Sequence, residues 1–464
     1  MARGKKRAKE LTPEEKLTQA LVPIEEQPYQ IPENWCWTRL GSITKIIGGG
    51  TPSSKVEDYY KDGNIPWITP ADLSGYNNIY IINGGKNITQ LGLAKSSARM
   101  LPKGTVCLSS RAPIGYVAIA KNDLCTNQGF KNFVPSPCYL PEYLYWYFKG
   151  NKALLESYAS GTTFLELSGG KAGKIEFPLA PITEQQRIVD RTESIFAKLD
   201  EAKEKAQEVV DGFEMRKSAI LHKAFMGELT KKWREEQGVI FENWEQVVLS
   251  DICKINPKKL DTRNLPDDLE VSFFPMPALS EIYGEITEPQ IRTLKEVRTG
   301  FTNFSEGDIV FAKITPCMEN GKSAVIGKLV NDIGFGTTEF FVLRCGNKLY
   351  NRYLYYLVRD QHFRDKAKTV MTGAVGQQRV PKSFLEEYQI QLPSVAEQKE
   401  IIRILDDLFA KEKKVKEASE AVIEQIDVMK KAVLARAFRG ELGTNDPEEE
   451  SAIELLKILV QRGL

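Results

Sequence analysis

One hexapeptide occurs twice in this chain of 464 residues. Residues 224–229 read AFMGEL and residues 437–442 read AFRGEL, an offset of 437 − 224 = 213 positions. At this offset the match runs without a gap from Leu179 to Leu229, and it includes the pair Glu-Gln at 184–185 and at 397–398. A repeat of this length indicates a duplicated structural unit. The sequence therefore predicts two copies of one unit, each a variable block of about 150 residues followed by a well-matched segment of about 50.

Weaker matches locate the variable blocks. ENW at 33–35 corresponds to ENW at 242–244, and YLYWY at 143–147 corresponds to YLYYL at 353–357. We predict seven segments in this order: a basic arm with a short helical piece (1–31), a first block (32–181), a first long helix (182–230), a linker (231–241), a second block (242–394), a second long helix (395–442) and a helical tail (443–464).

Each block is predicted to have a mixed α/β (α+β) fold. Short β-rich runs such as GTVCLSS and GDIVFAKI are bounded by Gly, Pro and Asn turns. The aromatic-rich stretches PEYLYWYFK and NRYLYYLVRD are predicted to be helices that contribute to the core, because aromatic residues at helical spacing more often pack inside than stack on bases.

The two well-matched segments are predicted to pair as a coiled coil. Apolar residues recur at alternating spacings of three and four, the pattern of a heptad seam, although Glu412 and Ser419 interrupt the second copy. The alternative is that each helix packs only on its own block. The predicted interface consists of Ile188, Ile195, Leu199, Val209, Phe213, Ile220, Ile401, Leu405, Leu408, Val415, Val422, Ile426 and Val433.

Chain length constrains how these helices run. The linker 231–241 spans at most about 37 Å when extended, whereas a helix of some 42 residues is about 63 Å long. The second block must then lie near the far end of the first helix. We therefore predict antiparallel helices with the two blocks at opposite ends, related by a pseudo-twofold axis.

Composition excludes several classes of function. The chain is 27% charged with a net charge of +1, so a nucleic-acid surface must be a local patch or be completed by a partner. Seven cysteines without a C-x-x-C motif argue against a disulfide framework or a zinc site and fit the cytoplasm. No apolar run approaches the length of a membrane span. Two histidines leave little material for histidine-based catalysis.

The loops contain the residue types that contact nucleic acids. GGGTPSSK at 48–55 fails the Walker pattern, because Ser54 precedes Lys55 where glycine is needed and Val56 follows it, so we expect no ATPase chemistry. Its hydroxyls, lysine and accessible backbone suit phosphate oxygens. SSRAP, TNQG, AKITPCMENGK, GTTE and GQQR carry side chains whose donors and acceptors match base edges. Ordinary polar surface loops are the alternative.

At PLAPITEQQRIV and IQLPSVAEQKEII, and at the ends HKAFMGEL and ARAFRGEL, the sequence resembles the specificity subunit of type I restriction-modification enzymes. The resemblance covers residues 31–442, and the second copy departs from the first in having Ser394 where Pro181 stands. It implies two target recognition domains that each read one half of a bipartite, asymmetric site in double-stranded DNA. The helices then act as a ruler for the gap between the halves.

The resemblance also implies partners. Two modification subunits, with S-adenosylmethionine, would dock on the helices, and restriction subunits, with ATP and magnesium, would join them. This chain would bind no cofactor and would hold no catalytic residue. By position the resemblance assigns DNA contacts to Thr51, Ser53, Ser54, Lys55, Ser110, Arg111, Asn127 and Gln128 in the first block. In the second block, where NPKKLDTR replaces the glycine loop, it points to Lys258, Lys313, Thr315, Asn320, Thr337, Gln377 and Arg379.

Two other function classes stay open at this point. One is a structural adaptor whose two blocks bind proteins, and the other is an enzyme with an unrecognised site. KELTPEEKLTQAL near the start and SAIELLKILV near the end are predicted to be short amphipathic pieces that lie together and dock with the helix ends.

Overall fold

A computed structural model describes residues 12–161, 165–241, 244–281 and 284–461. The basic arm at residues 1–10 lies outside this range. The chain divides into two compact units: residues 1–205 with 422–464, and residues 206–421. The two long helices contribute to both units, and each unit is described by itself below.

The first unit contains a mixed α/β head. Its helices are α1 (Pro13–Ala20), α2 (Leu40–Ile43), α3 (Gln90–Ala94), α4 (Pro141–Gly150), α5 (Lys152–Ser157) and α6 (Gly169–Ala172). Its strands are β1 (Cys36–Arg39), β2 (Ile46–Gly48), β3 (Ile65–Ile68), β4 (Tyr80–Ile81), β5 (Lys86–Ile88), β6 (Val106–Ser110), β7 (Ile114–Ala120), β8 (Cys125–Thr126), β9 (Phe130–Phe133) and β10 (Glu176–Leu179). They form sheets in the orders β2-β9-β6-β7-β4, β5-β3-β8 and β1-β10.

The long helices begin after this head. The first is interrupted at Gly212 and forms α7 (Ile182–Asp211) and α8 (Phe213–Phe225), so the prediction of one continuous helix over 182–230 is wrong at that point. A further helix, α9 (Lys231–Gln237), occupies much of the segment predicted as a linker.

The second unit contains a head with matching topology. Its helices are α10 (Leu249–Ile252), α11 (Leu294–Val297), α12 (Asn351–Arg359), α13 (Gln361–Thr369) and α14 (Lys382–Glu386). Its strands are β11 (Glu245–Val248), β12 (Cys253–Ile255), β13 (Glu270–Phe274), β14 (Gln290–Thr293), β15 (Thr302–Phe304), β16 (Ile309–Ala312), β17 (Ser323–Val325), β18 (Gly334–Gly336), β19 (Phe340–Cys345) and β20 (Gln389–Leu392). The second long helix, α15 (Val395–Ala437), is unbroken, and α16 (Ile453–Gln461) returns to the first unit.

Most strands of the two heads correspond, and the exceptions are β4 in the first head and β15 in the second. The order β12-β19-β16-β17 repeats β2-β9-β6-β7, and β14-β13-β18 repeats β5-β3-β8. In both heads one pair of these strands is parallel, β3 with β8 and β13 with β18, and in the second head β15 adds a further antiparallel strand beside β18. The duplication seen in the long helices therefore extends through both variable blocks.

The aromatic helices form the centre of each core, as predicted. Tyr143, Tyr147 and Phe148 of α4 are at most 1% exposed, and Tyr353 of α12 is 1% exposed. Buried aromatic rings on a helix cannot serve as stacking platforms for bases.

Within each unit the long helices run antiparallel. In the first unit Lys203 Nζ lies 2.8 Å from Asp427 Oδ1, and Lys430 pairs with Asp200. In the second unit Arg216 Nε lies 2.8 Å from Glu412 Oε2. Residue numbers rise along the first helix as they fall along the second, which confirms the predicted direction of pairing.

Most of the predicted interface is buried or half-buried, but two positions are wrong. Ile188, Phe213, Ile401, Leu405 and Ile426 are buried, and Ile195, Leu199, Val209, Ile220, Leu408 and Val433 are half-buried. Val415 and Val422 are 48% and 45% exposed.

The error arises because two sets of positions have the same alternating spacing of three and four. One set is 412, 415, 419, 422 and 426, and the other is 412, 416, 419, 423 and 426. Positions 412, 419 and 426 belong to both, but the structure turns 416 inward rather than 415. The Lys416 side chain is 19% exposed, and its ammonium lies 5.0 Å from the centre of the Phe213 ring. An amphipathic lysine thus replaces the valine that hydrophobicity alone favours.

The two terminal pieces are helices, as predicted, and α1 packs against α16 in the first unit. Within the described ranges, no helix is both long enough and apolar enough to cross a membrane.

Candidate nucleic-acid interface

The repeated Glu-Gln pair anchors the start of each long helix to its head. In the first unit Gln185 donates from Nε2 to the carbonyl oxygens of Cys138 and Ala180 and accepts from the Leu140 amide. Leu140 is the residue that precedes α4. Gln398 makes the same three bonds in the second unit, to Lys348, Pro393 and Tyr350.

The glutamate of the pair is a buried acceptor. Glu397 Oε1 accepts from Thr230 Oγ1 at 2.8 Å and from Arg234 Nη1 at 2.7 Å, and its Oε2 accepts from Trp244 Nε1 at 2.9 Å. This tryptophan belongs to the repeated ENW motif. The carboxylate therefore ties the segment after α8 and the entrance of the second head to the long helix.

In the first unit the same position is occupied by Glu184. Its carboxylate accepts from Thr444 Oγ1 at 2.7 Å and from Arg187 Nη2 at 2.8 Å. Burial raises the pKa of Glu184 above its ordinary value, and the bonds from Thr444 and Arg187 oppose that rise. Arg187 also holds Glu449 at 2.7 Å, which fastens the tail to this head.

The repeated hexapeptide closes the core of each head. The Phe438 ring lies 5.0 Å from the ring of Tyr143 and 5.1 Å from that of Tyr147, while Phe225 lies 5.3 Å from Tyr353. The end of the second long helix thus completes the first head, and the end of the first long helix completes the second. These motifs therefore join the long helices to the heads.

In the first head the glycine loop packs on the TNQG loop. Gly50 donates its amide to Thr126 O at 2.8 Å, and Thr51 Oγ1 donates to Gln128 Oε1. A Cβ added at Gly49 would lie 1.9 Å from the carbonyl oxygen of Asn127, so only glycine allows this approach. Thr51, Asn127 and Gln128 are brought together, and Ser53, Ser54 and Lys55 are exposed beside them.

A carboxylate lies between the basic residues of the same head. Arg111 Nη1 is 3.8 Å from Glu166 Oε2, and Lys131 Nζ is 3.5 Å from Glu166 Oε1. The Lys131 side chain is only 11% exposed, whereas that of Arg111 is 38% exposed. Arg111 is therefore the cation of this group that can reach a ligand.

The prediction for Ser110 is wrong. Its side chain is fully buried, and its hydroxyl donates to Gly129 O at 3.0 Å and accepts from Lys131 Nζ at 3.2 Å. Ser110 supports the loop from below and cannot contact DNA. All five residues of β6 are buried, because both faces of this strand are covered.

The second head gathers five predicted residues: Lys313, Thr315, Thr337, Gln377 and Arg379. Backbone bonds hold the three loops together. Lys313 N donates to Glu339 O at 2.9 Å, and Thr315 N donates to Gln378 O at 3.0 Å. Thr337 Oγ1 accepts from the Glu339 amide at 3.2 Å.

Glu339 is the centre of this cluster. Arg379 donates from Nε and Nη2 to its two carboxylate oxygens at 2.9 and 2.8 Å. This hydrogen-bonded guanidinium, helped by the charge of Lys313, holds the pKa of Glu339 below its ordinary value. The Arg379 side chain is nevertheless 44% exposed.

Two predicted residues of this head lie elsewhere. Asn320 lines a small cavity with Glu214 and Arg364, so the structure does not bring it to the Lys313 cluster. Lys258 is exposed on the loop after β12, the strand that corresponds to β2.

Sequence reasoning missed Glu339, Glu166 and Lys131. Glu339 is the last residue of the GTTE loop, and its charge, opposite to that of Arg379, is a signal that the two residues form an ion pair. Lys131 lies inside a strand, where nothing in the sequence indicates that it reaches the loop. Among the residues that the structure describes, no group of three or more His, Cys, Asp or Glu side chains could hold a metal ion.

The sequence of this chain matches a known protein family. The family model of the type I restriction modification DNA specificity domain matches residues 32–210 and 241–425. The MjaIX specificity subunit of Methanocaldococcus jannaschii is 40% identical over 258 residues, which are 55% of this chain and 56% of that protein. The chain thus aligns with about half the length of this relative.

Two further likenesses cover nearly the whole chain. The StySPI specificity subunit of Salmonella potsdam is 22% identical over 435 residues, 89% of this chain and 90% of that protein. The crystal structure of the HsdS subunit from Thermoanaerobacter tengcongensis matches 90% of this chain and 100% of its own, with a TM-score of 0.62 and 18% identity. This structure confirms the predicted fold class, mixed α/β with two domains and a coiled coil.

Proposed function

Because this chain belongs to the type I restriction modification DNA specificity family, we propose that it is the sequence-specificity subunit of a type I restriction-modification complex. Each head reads one half of a bipartite, asymmetric site in double-stranded DNA. The paired helices set the gap between the two halves.

One observation carries this proposal: the two heads share a backbone frame but present different side chains on it. In the first head Ser110 N donates to Gly129 O at 2.7 Å and Leu167 N donates to Ser110 O at 2.9 Å. In the second head Lys313 N donates to Glu339 O and Val380 N donates to Lys313 O, both at 2.9 Å.

The side chains on this frame differ in type and in charge. Arg111, Asn127 and Gln128 face the solvent side of the first frame, and Lys313, Thr337 and Arg379 occupy the second. Donor and acceptor patterns that differ between two otherwise equal heads are what reading two different half-sites requires.

The chemistry is proposed to reside in partner subunits. Two modification subunits, binding S-adenosylmethionine, would methylate adenine, and restriction subunits, binding ATP and magnesium, would translocate and cleave. The net charge of +1 supports this division, because modification subunits can supply the positive charge that DNA binding requires. The seven free cysteines fit an intracellular complex in a reducing compartment.

Exchange of one head tests the proposal. Residues 32–180 are replaced by the corresponding block of another family member, and the complex with its modification subunits is expressed in cells. Methyladenine is then mapped by single-molecule sequencing, and we expect one half of the recognised site to change while the other half and the adjoining gap are kept.

The reciprocal exchange of residues 244–393 is the matched control, and it should change the other half. Changes in both halves, or in neither, would refute the assignment of one half-site to each head. Equal affinity of the assembled complex for all DNA sequences would favour an adaptor that binds proteins.

A further inference from the structure

The Arg379–Glu339 pair leaves a defined set of donors. An arginine side chain has five N–H groups. Two of them, on Nε and Nη2, are donated to Glu339, and one on Nη1 is donated to Gln377 O at 3.0 Å. Among the residues that the structure describes, one N–H therefore remains without a partner on each terminal nitrogen of a guanidinium whose plane is held by three bonds.

Two neighbouring donors in one plane fit one base in the major groove. Guanine presents two acceptors there, O6 and N7, whereas adenine presents one acceptor and one donor. An adenine at this position would set its amino group against an arginine N–H, with no acceptor for the second bond. The chemistry of the remaining donors thus selects guanine.

The neighbouring carboxylate argues against a phosphate contact. A cation that anchors phosphate works through its net charge and the release of counterions. Arg379 forms an ion pair with Glu339, so the net charge of the two side chains is zero. The Glu339 carboxylate would also lie close to the DNA and repel the phosphates. A paired arginine is a weak anchor for phosphate but a well-oriented donor.

The first head repeats this arrangement by different means. Leu167 N donates to Ser110 O in the first head as Val380 N donates to Lys313 O in the second, so Leu167 corresponds to Val380. The residue before each of them is Glu166 in the first head and Arg379 in the second. Glu166 in turn pairs with Arg111 and Lys131. Each head therefore sets one carboxylate among two cations, although the carboxylate comes from a different loop.

We propose that Glu339 is a positioning residue for sequence specificity, which orients Arg379 to donate both remaining N–H groups to a guanine in the half-site read by the second head. This inference rests on the proposed function and adds to it the base and the residue that select it.

Substitution of Glu339→Gln in the full chain, assembled with its modification subunits, tests this proposal. Binding is measured on a duplex with the mapped site, on duplexes in which each guanine of the relevant half-site is replaced in turn, and on an unrelated duplex. In the unsubstituted complex, replacement of one guanine should weaken binding about 5- to 140-fold, the value of a bidentate contact.

Arg379→Ala should abolish the discrimination at that guanine. Glu339→Gln should reduce it several-fold at the same base pair, since Arg379 loses its orientation. Binding of Glu339→Gln to the unrelated duplex should instead become tighter and more sensitive to salt, because a negative charge has been removed near the phosphates. A purely structural role would not move these two affinities in opposite directions.

Glu400→Gln is the matched control. Glu400 on α15 forms the same two-bond pair, with Arg403 at 2.8 and 2.7 Å, so the substitution makes an equal change in charge away from the loops. Its discrimination should equal that of the unsubstituted chain, and the thermal midpoints of all variants are compared to detect misfolding.

Two outcomes overturn the proposal. One is a Glu339→Gln complex that keeps full discrimination at every guanine, and the other is a loss that is equal for all sequences. An unsubstituted complex that binds all duplexes alike would instead contradict the proposed function itself, so the two failures can be told apart.

Discussion

Removal of the Glu397 carboxylate should destabilise the second unit strongly. Glu397 is 1% exposed and accepts from Thr230, Arg234 and Trp244. The partner side chain of Arg234 is itself only 8% exposed. The substitution Glu397→Ala leaves this guanidinium buried without its counter-charge, although Arg234 Nη2 still donates to Gly227 O at 2.6 Å.

The magnitude follows from the burial of both partners. Breaking one side of a buried ion pair costs about 3–5 kcal/mol in the free energy of unfolding. The second unit has 421 − 206 + 1 = 216 residues, a size at which each kcal/mol lowers the melting temperature by about 2–4 °C. The melting temperature of this unit should therefore fall by about 6–20 °C.

The assay is thermal unfolding followed by tryptophan fluorescence, for which Trp244 is a reporter in the network. Glu400→Ala on the same helix is the control, since its partner Arg403 is 67% exposed and such pairs contribute at most about 1 kcal/mol. The double variant Arg234→Met with Glu397→Leu should recover most of the loss, because replacing both charges removes the unpaired one. If the two single losses simply add in the double variant, the network is not coupled and the reasoning is wrong.

Three further predictions concern other parts of the chain. A non-glycine residue in the left-handed conformation costs about 1–2 kcal/mol, and Gly440→Ala should lower the free energy of unfolding of the first unit by more than this, because its Cβ would lie 2.3 Å from Pro32 Cγ. Gly443→Ala is the control in denaturant unfolding, since Gly443 has the same φ of +72° and open space around it. Burial lowers the pKa of Lys217 to about 8, whereas a lysine in the unfolded chain titrates at about 10.4. Between these two pH values the folded chain binds fewer protons than the unfolded chain, so the free energy of unfolding should rise with pH. Urea titrations at pH 7.5 and 9.5 measure this rise, and an equal rise in a Lys217→Met variant would contradict the prediction. Truncation after Leu442 removes Thr444 and Glu449 from Glu184 and Arg187, and calorimetry should show a lower melting temperature for the first unit but an unchanged one for the second.

The parts of the fold that the repeat defines could be predicted from the sequence. The antiparallel direction followed from linker length alone, and the pairs Lys203–Asp427 and Arg216–Glu412 agree with it. The heptad phase could not be chosen in the same way. Val415 and Lys416 both satisfy the spacing, but the structure places Lys416 against the Phe213 ring and leaves Val415 48% exposed.

The candidate site was predictable as a set of loops but not in its details. Ser110 looks like a loop residue beside Arg111, yet the strand β6 continues through it and is covered on both faces. Strand alternation, the signal that separates inward from outward residues, is absent where both faces are buried. Glu339 is an acceptor, so the donor pattern that indicates a base contact does not identify it, and its charge opposite to that of Arg379 is the one signal in the sequence.

The duplication has a mechanical reason that the contacts make explicit. Each aromatic core lacks one side until Phe438 or Phe225 arrives from the helix that begins at the other head. Each buried glutamate likewise takes its hydroxyl donor, Thr444 or Thr230, from the segment that follows that same hexapeptide. A head with only its own helix would leave apolar surface uncovered and its buried carboxylate without the hydroxyl donor, and both losses destabilise the fold. The core of each head therefore depends on the hexapeptide at the end of the helix that begins at the other head, whereas the variable loops lie outside these contacts.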